Sequence, residues 1–352
     1  MRDFCYKKRY KALLKPEIVI MQTQIHELKG SQKDFVSGNK DLLTRLAETA
    51  KIQSTEASNK IEGICTSNVR LKQLVLDKTL PENQSEKEIA GYRNALGTIN
   101  ENFAYIPPKP AMLLQLHREL YRFSGSSAGG CYKSADNFTE KDAGENKITG
   151  FCPVPASETS AAIESLCAAF EEAADDPEID PLLLIPMFVL DFLCIHPFND
   201  GNGRMSRLLT LLLLYRAGYT VGKYISIEKM IESGRDAYYE TLRECFLNRH
   251  EGENTDGPFV KYMLGIIRAA YIEFENRVKA AQKNGLSKPE RIRKVIQDTP
   301  GKITKSQVME KCPDISQVTV QRTLNELVKS GDIIKIGGGR YTAYAWNREK
   351  ES

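Results

Sequence analysis

The sequence lacks the marks of an exported, metal-clasped or membrane-spanning protein. Its eight cysteines stand singly at positions 5, 65, 131, 152, 167, 194, 245 and 312, and none forms the C-x-x-C pair that starts a zinc site or a redox motif. They read as small hydrophobes. The N-terminal stretch Met1 to Tyr10 is basic but leads into no apolar run long enough for a signal peptide. The two most apolar stretches, Leu182 to Ile195 and Leu208 to Tyr215, fall short of the roughly 20 residues that cross a bilayer, and Asp191 interrupts the first. Both read as buried helices of a cytoplasmic protein with no membrane partner. No repeat of fixed period and no low-complexity tract is present. Neither sign of charge dominates: 49 Lys and Arg face 46 Asp and Glu, so composition by itself demands neither nucleic acid nor an anionic membrane as partner. Also missing are G-x-x-x-x-G-K-[ST] and G-x-G-x-x-G, which removes the two commonest phosphate cradles.

What is present is an ordinary globular balance, 41% apolar and 27% charged over 352 residues, enough for two or three folding units. Up to about residue 283 the apolar residues keep helical spacing, as in Leu71, Leu74 and Val75, then Leu113, Leu116 and Leu120, then Ile163, Leu166, Ala169 and Phe170. A helical bundle follows. Glycines and prolines interrupt it from Ser124 to Ala156, where Cys131 to Lys133 and Phe151 to Val154 are short enough to pair as a hairpin. After residue 285 the texture changes. Helical segments at Pro289 to Asp298, Thr304 to Lys311 and Ser316 to Ser330 precede apolar strands Ile333 to Ile336 and Tyr341 to Trp346 around Gly337 to Gly339. That order predicts a winged helix-turn-helix module over 286–352, where 13 basic residues face 8 acidic ones. The expected organisation is an N-terminal helical region over 1–105, a helical core over 106–283, and this module.

Chemistry concentrates in the twelve residues His196 to Arg207. Leu182 to Ile195 predicts a helix that ends at His196, because the residue before Pro197 is pushed out of helical geometry. The loop Asn199 to Gly203 carries two glycines, and a second helix, Arg204 to Ala217, opens beyond it. Amides converging at a helix N-terminus make an anion hole, and phosphate is the natural guest. Arg204 and Arg207, three apart, can face one ligand and suit phosphate oxygens. Asp200 is the carboxylate placed to share Mg²⁺ with a nucleotide. His196 titrates near neutrality and can take a proton from a hydroxyl. Singly, a histidine at a helix end is usually a cap, and D-G or N-G is usually a turn. A plain connector needs no such combination.

The run His196-Pro-Phe-Asn-Asp-Gly-Asn-Gly-Arg204 with Arg207 resembles the signature of the Fic-domain family, H-P-F-x-[DE]-G-N-G-[RK]-x-x-R, at every fixed position. The resemblance implies a mainly helical Fic-type bundle with a β-hairpin flap, which uses ATP and Mg²⁺ to transfer AMP to a hydroxyl of a target protein or of itself. By that match His196 is the general base and Asp200 the metal ligand. Gly201, Asn202, Gly203 and Arg204 bind the α- and β-phosphates, Arg207 reaches the γ-phosphate, and Phe198 anchors the loop. Tyr132, Lys133, Phe151 and Val154 fall in what looks like the flap, which holds a target backbone by strand addition. Tyr238 and Tyr239 resemble the lining of the adenine pocket, and serve equally as core aromatics.

Residues 58–63, Ser-Asn-Lys-Ile-Glu-Gly, are similar to the family's inhibitory motif, [ST]-x-x-x-E-[GN]. Ser58 and Glu62 lie one helical turn apart and Gly63 can close the helix. A carboxylate aimed at Arg207 would take away the γ-phosphate's anchor. The same glutamate could instead orient water for removal of AMP. In the C-terminal module Gln317, Thr319, Gln321 and Arg322 lie near the start of a recognition-type helix and, with Lys335 or Arg340, are the candidate DNA contacts. Docking of a protein or of a second copy in a homodimer is the competing use. Two other functions compete: a DNA-binding regulator that senses a nucleotide, against which an intact His196 argues, and a Fic-type transferase of another phosphate-containing group.

Overall fold

The computed structural model describes residues 4–36, 40–125, 129–136, 153–247, 255–285, 287–313, 315–339 and 342–347. They divide into two compact units, Met1–Glu275 and Asn276–Ser352. The first is helical: α1 Tyr6–Leu13, α2 Pro16–Val36, α3 Lys40–Ile61, α4 Asn68–Lys72, α5 Gln84–Asn102, α6 Pro110–Leu120, α7 Thr159–Ala174, α8 Pro181–Ile195, α9 Asn202–Arg216, α10 Ile227–Ser233, α11 Arg235–Phe246 and α12 Gly257–Gly285, which runs past the unit boundary. Short π and 3₁₀ turns join some of them.

The centre of this unit is α8. Every residue from Leu182 to Ile195 is buried, so the helix is apolar all round and has neighbours on all sides. It packs on α1, α7 and α9, and α9 is almost as completely buried. Asp191 sits inside this apolar helix with no exposure. A buried carboxylate must be paired, and Tyr6 and Arg9 of α1 supply the partners: the Tyr6 hydroxyl donates at 3.0 Å and Arg9 Nη1 lies at 2.6 Å. Arg9 also reaches Asp256 at 2.7 Å, so one guanidinium ties α1 to α8 and to the residue before α12. Around this core α3 packs on α5 and α10, and α5 on α6 and α9. Among the described residues no helix is long and apolar enough to cross a membrane. Four cysteines (167, 194, 245 and 312) are buried as small hydrophobes, whereas Cys5, Cys65 and Cys131 are exposed.

The second unit holds α13 Lys288–Gln297, β1 Lys302–Thr304, α14 Lys305–Lys311, α15 Gln317–Lys329, β2 Ile333–Ile336 and β3 Ala343–Trp346. The strands form an antiparallel sheet in the order β1-β3-β2. Ile292, Ile296, Val308, Val320, Leu324 and Ile333 build its core. Ser287 with Glu290, and Thr304 with Gln307, form capping boxes that start α13 and α14, and Ser316 caps α15. The sequence expectation of three helices and two strands is met; β1 is additional, since three residues are too few to show alternation.

Candidate functional site

The loop between α8 and α9 is held by its own residues. His196 leaves the helix in the left-handed region, φ 52° and ψ 61°, with its amide still donating to the Phe192 carbonyl at 3.0 Å. Pro197 forbids a further helical turn. A left-handed C-terminal residue is the common way to stop a helix, and histidine tolerates it better than most. Phe198 then turns inward, fully buried, and stacks on His117 at 3.7 Å with the rings 2° from parallel. The Asn202 side chain bonds both sides of the Phe198 backbone: its Oδ1 accepts from the Phe198 amide at 3.0 Å and its Nδ2 donates to the Phe198 carbonyl at 2.8 Å. Asn202 is thereby committed to shaping the loop, which leaves its backbone amide for a ligand. Gly201, at φ 83°, precedes α9, and a Cβ there would meet the Tyr121 hydroxyl at 3.0 Å. The helix begins at Asn202, two residues earlier than the sequence spacing suggested, so the amides of Asn202, Gly203 and Arg204 are first-turn donors with no intrahelical acceptor. Such an end can take an anion.

The two arginines of that first turn part company. Arg204 is buried, with Nη1 2.7 Å from Glu88 Oε2 of α5, and Nη2 3.1 Å from the Tyr121 hydroxyl and 3.3 Å from Asp200. Its partners are thus Glu88, Tyr121 and Asp200, none of which touches Arg207. The Asp200 carboxylate is exposed yet well oriented, accepting from the Tyr121 hydroxyl at 2.6 Å and from the Gly201 amide at 2.7 Å. Local packing opposes its ionisation. The Tyr121 hydrogen bond and the Arg204 charge outweigh that and hold the carboxyl below its ordinary range. A cavity of ≈ 220 Å³ opens beside it among Glu88, His117, Tyr121 and Asn199. His196 is pushed down to about 4, first by burial and then by the Lys133 ammonium; a hydrogen bond to the Leu193 carbonyl and the charges of Glu62 and Asp200 pull the other way. The imidazole is therefore neutral near pH 7.

Arg207 faces α3. Its Nε donates to the Ser58 hydroxyl at 2.8 Å, its Nη2 to the Ser58 carbonyl at 2.8 Å and to Glu62 Oε1 at 2.7 Å. Burial alone would lower the affinity of this guanidinium for its proton, but Glu62 more than offsets that. Gly63, at φ 80°, ends α3 as the sequence suggested: its amide donates to the Lys60 carbonyl and the Ile64 amide to the Asn59 carbonyl, the paired bonds of a Schellman cap with Glu62 as the last half-helical residue. A Cβ on Gly203 would run into Glu62 Oε1, so glycine is what lets the carboxylate lie across the start of α9. Tyr238 is buried beside Arg207 with a hydrogen bond to Ser206, and burial raises its pKa to about 12. Tyr239, half-buried, stacks edge-on against Tyr238 at 5.4 Å.

The flap residues are only partly described. The Lys133 amide donates to the Pro197 carbonyl at 2.9 Å and its ammonium to the Ile195 carbonyl at 3.2 Å, so this side chain is bound to the end of α8 and the loop that follows it. Tyr132 stacks near Phe198 at 6.1 Å. Val154 is half-buried; Phe151 lies outside the described residues, as does the second arm of the expected hairpin up to Cys152, and Cys131 to Lys133 carries no strand pairing among those described. In the second unit Gln317 and Arg322 are exposed and Thr319 and Gln321 half-buried, while Arg340 lies outside the described residues. Sequence reading missed four residues at the first site. Glu88 and Tyr121 hold Arg204 and Asp200. His117 accepts the Gly130 amide on Nδ1 at 3.0 Å and meets the Asp200 carbonyl through Nε2 at 3.1 Å, and Arg235 touches α3. Each is far away in sequence from what it positions.

Residues 107–214 match the Fic/DOC family. The chain is 28% identical over 228 residues to the protein adenylyltransferase Fic of Culex quinquefasciatus, covering 63% of this chain and 41% of that one. It is also 28% identical over 188 residues to the protein of the same name from Nematostella vectensis, covering 50% and 40%. It thus spans about two fifths of the length of these curated relatives. A solved Fic family protein from Desulfovibrio desulfuricans G20 shares the fold with a TM-score of 0.60 at 22% identity, over 95% of this chain and 97% of that one. Residues 107–214 are thus a domain of the Fic/DOC family.

Proposed function

We propose that this protein transfers AMP from ATP to a hydroxyl side chain of a target protein, and that Glu62 restrains it at rest. The observation that carries the proposal is the sharing of Arg207: the guanidinium placed on the helix turn that offers phosphate-binding amides is held by Ser58 and Glu62 at 2.7 to 2.8 Å. ATP laid along the α9 N-terminus would set its triphosphate on the amides of Asn202, Gly203 and Arg204. His196, neutral near pH 7, accepts the proton of the target hydroxyl on an imidazole nitrogen. The hydroxyl oxygen bonds to the α-phosphorus as the bond to the bridging oxygen breaks, and pyrophosphate departs. General-base assistance of this kind is typically worth about 10² to 10⁴ in rate. With Glu62 on Arg207 the γ-phosphate loses its anchor and the triphosphate cannot take that pose.

The donor set suits one shared Mg²⁺. Asp200 is a single exposed, ionised carboxylate, and among the described residues no three His, Cys, Asp or Glu side chains converge on a metal site. Asp200 would hold the ion while phosphate and water oxygens complete its shell. When bound, the ion would offset charge on the phosphate oxygens.

The test is incubation of wild type, Glu62→Gly and His196→Ala with Mg²⁺ and ATP labelled at the α-phosphate, followed by the mass of the modified protein. Strong self-labelling by Glu62→Gly, little by wild type and none by His196→Ala is the expected pattern, with an added mass of one AMP. A different added mass would assign another phosphate-containing group, and equal labelling of wild type and Glu62→Gly would remove the restraint. Loss of AMP from a modified target in wild type alone would favour removal as the net direction.

The second unit is read as a winged helix on its element order, with α15 as the helix that meets a partner. Its exposed start carries Gln317, Val318 and Arg322, and Val318 is 78% exposed. An apolar residue there favours contact with a protein surface over the phosphate backbone of DNA.

A further inference from the structure

We propose that Arg235 is a positioning residue for Glu62, a latch that fixes the C-terminal end of α3 so that its carboxylate stays on Arg207. This rests on the reading of Glu62 as a restraint. The last carbonyls of a helix have no intrahelical donor, and at the end of α3 the carbonyls of Ser58 to Ile61 are all supplied by other groups. Ser58 O accepts from Arg207, Asn59 O from the Glu62 and Ile64 amides, Lys60 O from the Gly63 amide, and Ile61 O from Arg235 Nη2 at 2.7 Å. Two come from the backbone of the cap itself. The other two come from guanidiniums, at the pole of the helix that favours positive charge.

The two arginines differ in what else they must do. Arg207 is the group that a γ-phosphate would claim, so its hold on Ser58 is given up when nucleotide binds. Arg235 opens α11 and belongs to the neighbouring α10–α11 corner; its guanidinium sits 5.7 Å from the centre of the Tyr239 ring. It has no competing claim from the phosphates. Ile61 immediately precedes Glu62, so a donor on its carbonyl fixes the peptide plane from which the Glu62 side chain departs. The other tie between this corner and the helix end, Lys60 to Glu232 at 3.0 Å, is exposed on the lysine side and weak. Ser54, bonded to buried Glu228 at 2.7 Å, grips α3 two turns earlier and leaves the last turn to Arg235. Losing one charge-assisted hydrogen bond at the end of the helix frees its last turn without unfolding the rest.

The experiment compares the full-length chain as wild type, Arg235→Met and Arg235→Gln, each with and without Glu62→Gly, by self-labelling with ATP and Mg²⁺ and by affinity for a non-hydrolysable ATP analogue. Arg235→Met should raise labelling about tenfold over wild type, the equivalent of about 1.4 kcal/mol, and tighten analogue binding. Arg235→Gln, which keeps an N–H donor, should lie between. In the Glu62→Gly background neither change should alter labelling, because nothing is left to hold in place. A residue that merely stabilised the fold, or that acted on the nucleotide through Tyr239, would shift labelling by the same factor in both backgrounds, and that result overturns the latch. So does wild-type labelling by Arg235→Met beside strong labelling by Glu62→Gly, with the restraint itself left standing. Absence of any gain in Glu62→Gly would sink the restraint and the latch together.

Discussion

Acid should destabilise the first unit well before its carboxylates titrate, because two of its histidines are held neutral. His117 and His196 are both pushed from an ordinary value of 6.5 to about 4, in each case mainly by burial. For His117 the geometry explains why. Nδ1 must offer a lone pair to the Gly130 amide while Nε2–H faces the Asp200 carbonyl, so the protonated ring has no acceptor left and one bond is lost. The folded pKa lies below the unfolded one. Between pH 6.5 and 4 the unfolded chain therefore binds more protons, and stability falls as pH drops through that window. Moving from pH 7 to 5.5 costs roughly 1.2 kcal/mol for each histidine and roughly 2.4 kcal/mol for the pair. Carboxyls whose pKa is lowered on folding, such as Glu86 at about 2 and Asp200, lose their contribution at more acidic pH, which leaves the 6.5 to 5.5 interval to the histidines. Urea unfolding followed by helix signal at the two pH values should show the full loss in wild type. His117→Phe, which keeps an aromatic ring against Phe198, should show about half the pH dependence whatever its absolute stability. A wild-type midpoint that does not move, or a His117→Phe protein with the whole dependence intact, would refute burial of these rings as the cause.

Two further outcomes follow from the loop and from the second unit. Asn202→Ala removes both bonds to the Phe198 backbone and leaves a buried amide and carbonyl unpaired, at a cost of about 1 to 3 kcal/mol each; urea unfolding should register the loss, and a variant within about 0.5 kcal/mol of wild type would show that Asn202 does not hold the loop. If α15 meets a protein surface, the full chain should give no shift of duplex DNA at low salt; a shift that fades steeply as salt rises would instead assign phosphate contacts to this unit.

What the sequence carried plainly was local. The two most apolar segments lie within α8 and α9, the pre-proline position stopped α8 at His196, and Gly63 closed α3 at the expected residue. The pre-proline rule gives only that the helix must stop, so the left-handed geometry of His196 was not predictable from it. Partners that reach across the fold were invisible. His117 lies 83 residues from Asp200, Tyr121 lies 83 from Arg204, and neither separation leaves a trace in periodicity. The split between Arg204 and Arg207 shows most clearly why. Spacing of three residues puts both on one side of a helix, and spacing alone made them a phosphate clamp. Which way each guanidinium turns is decided by the acid the neighbouring helix offers, Glu88 on α5 for one and Glu62 at the end of α3 for the other. The first acid is a half-buried residue in the second turn of a helix, with no motif around it. The second belongs to a short motif that becomes readable only beside the loop it faces. The phosphate site proposed for α9 therefore follows from its own twelve-residue neighbourhood, but whether each arginine would be available to a phosphate is set by residues about 115 and 145 positions earlier in the chain.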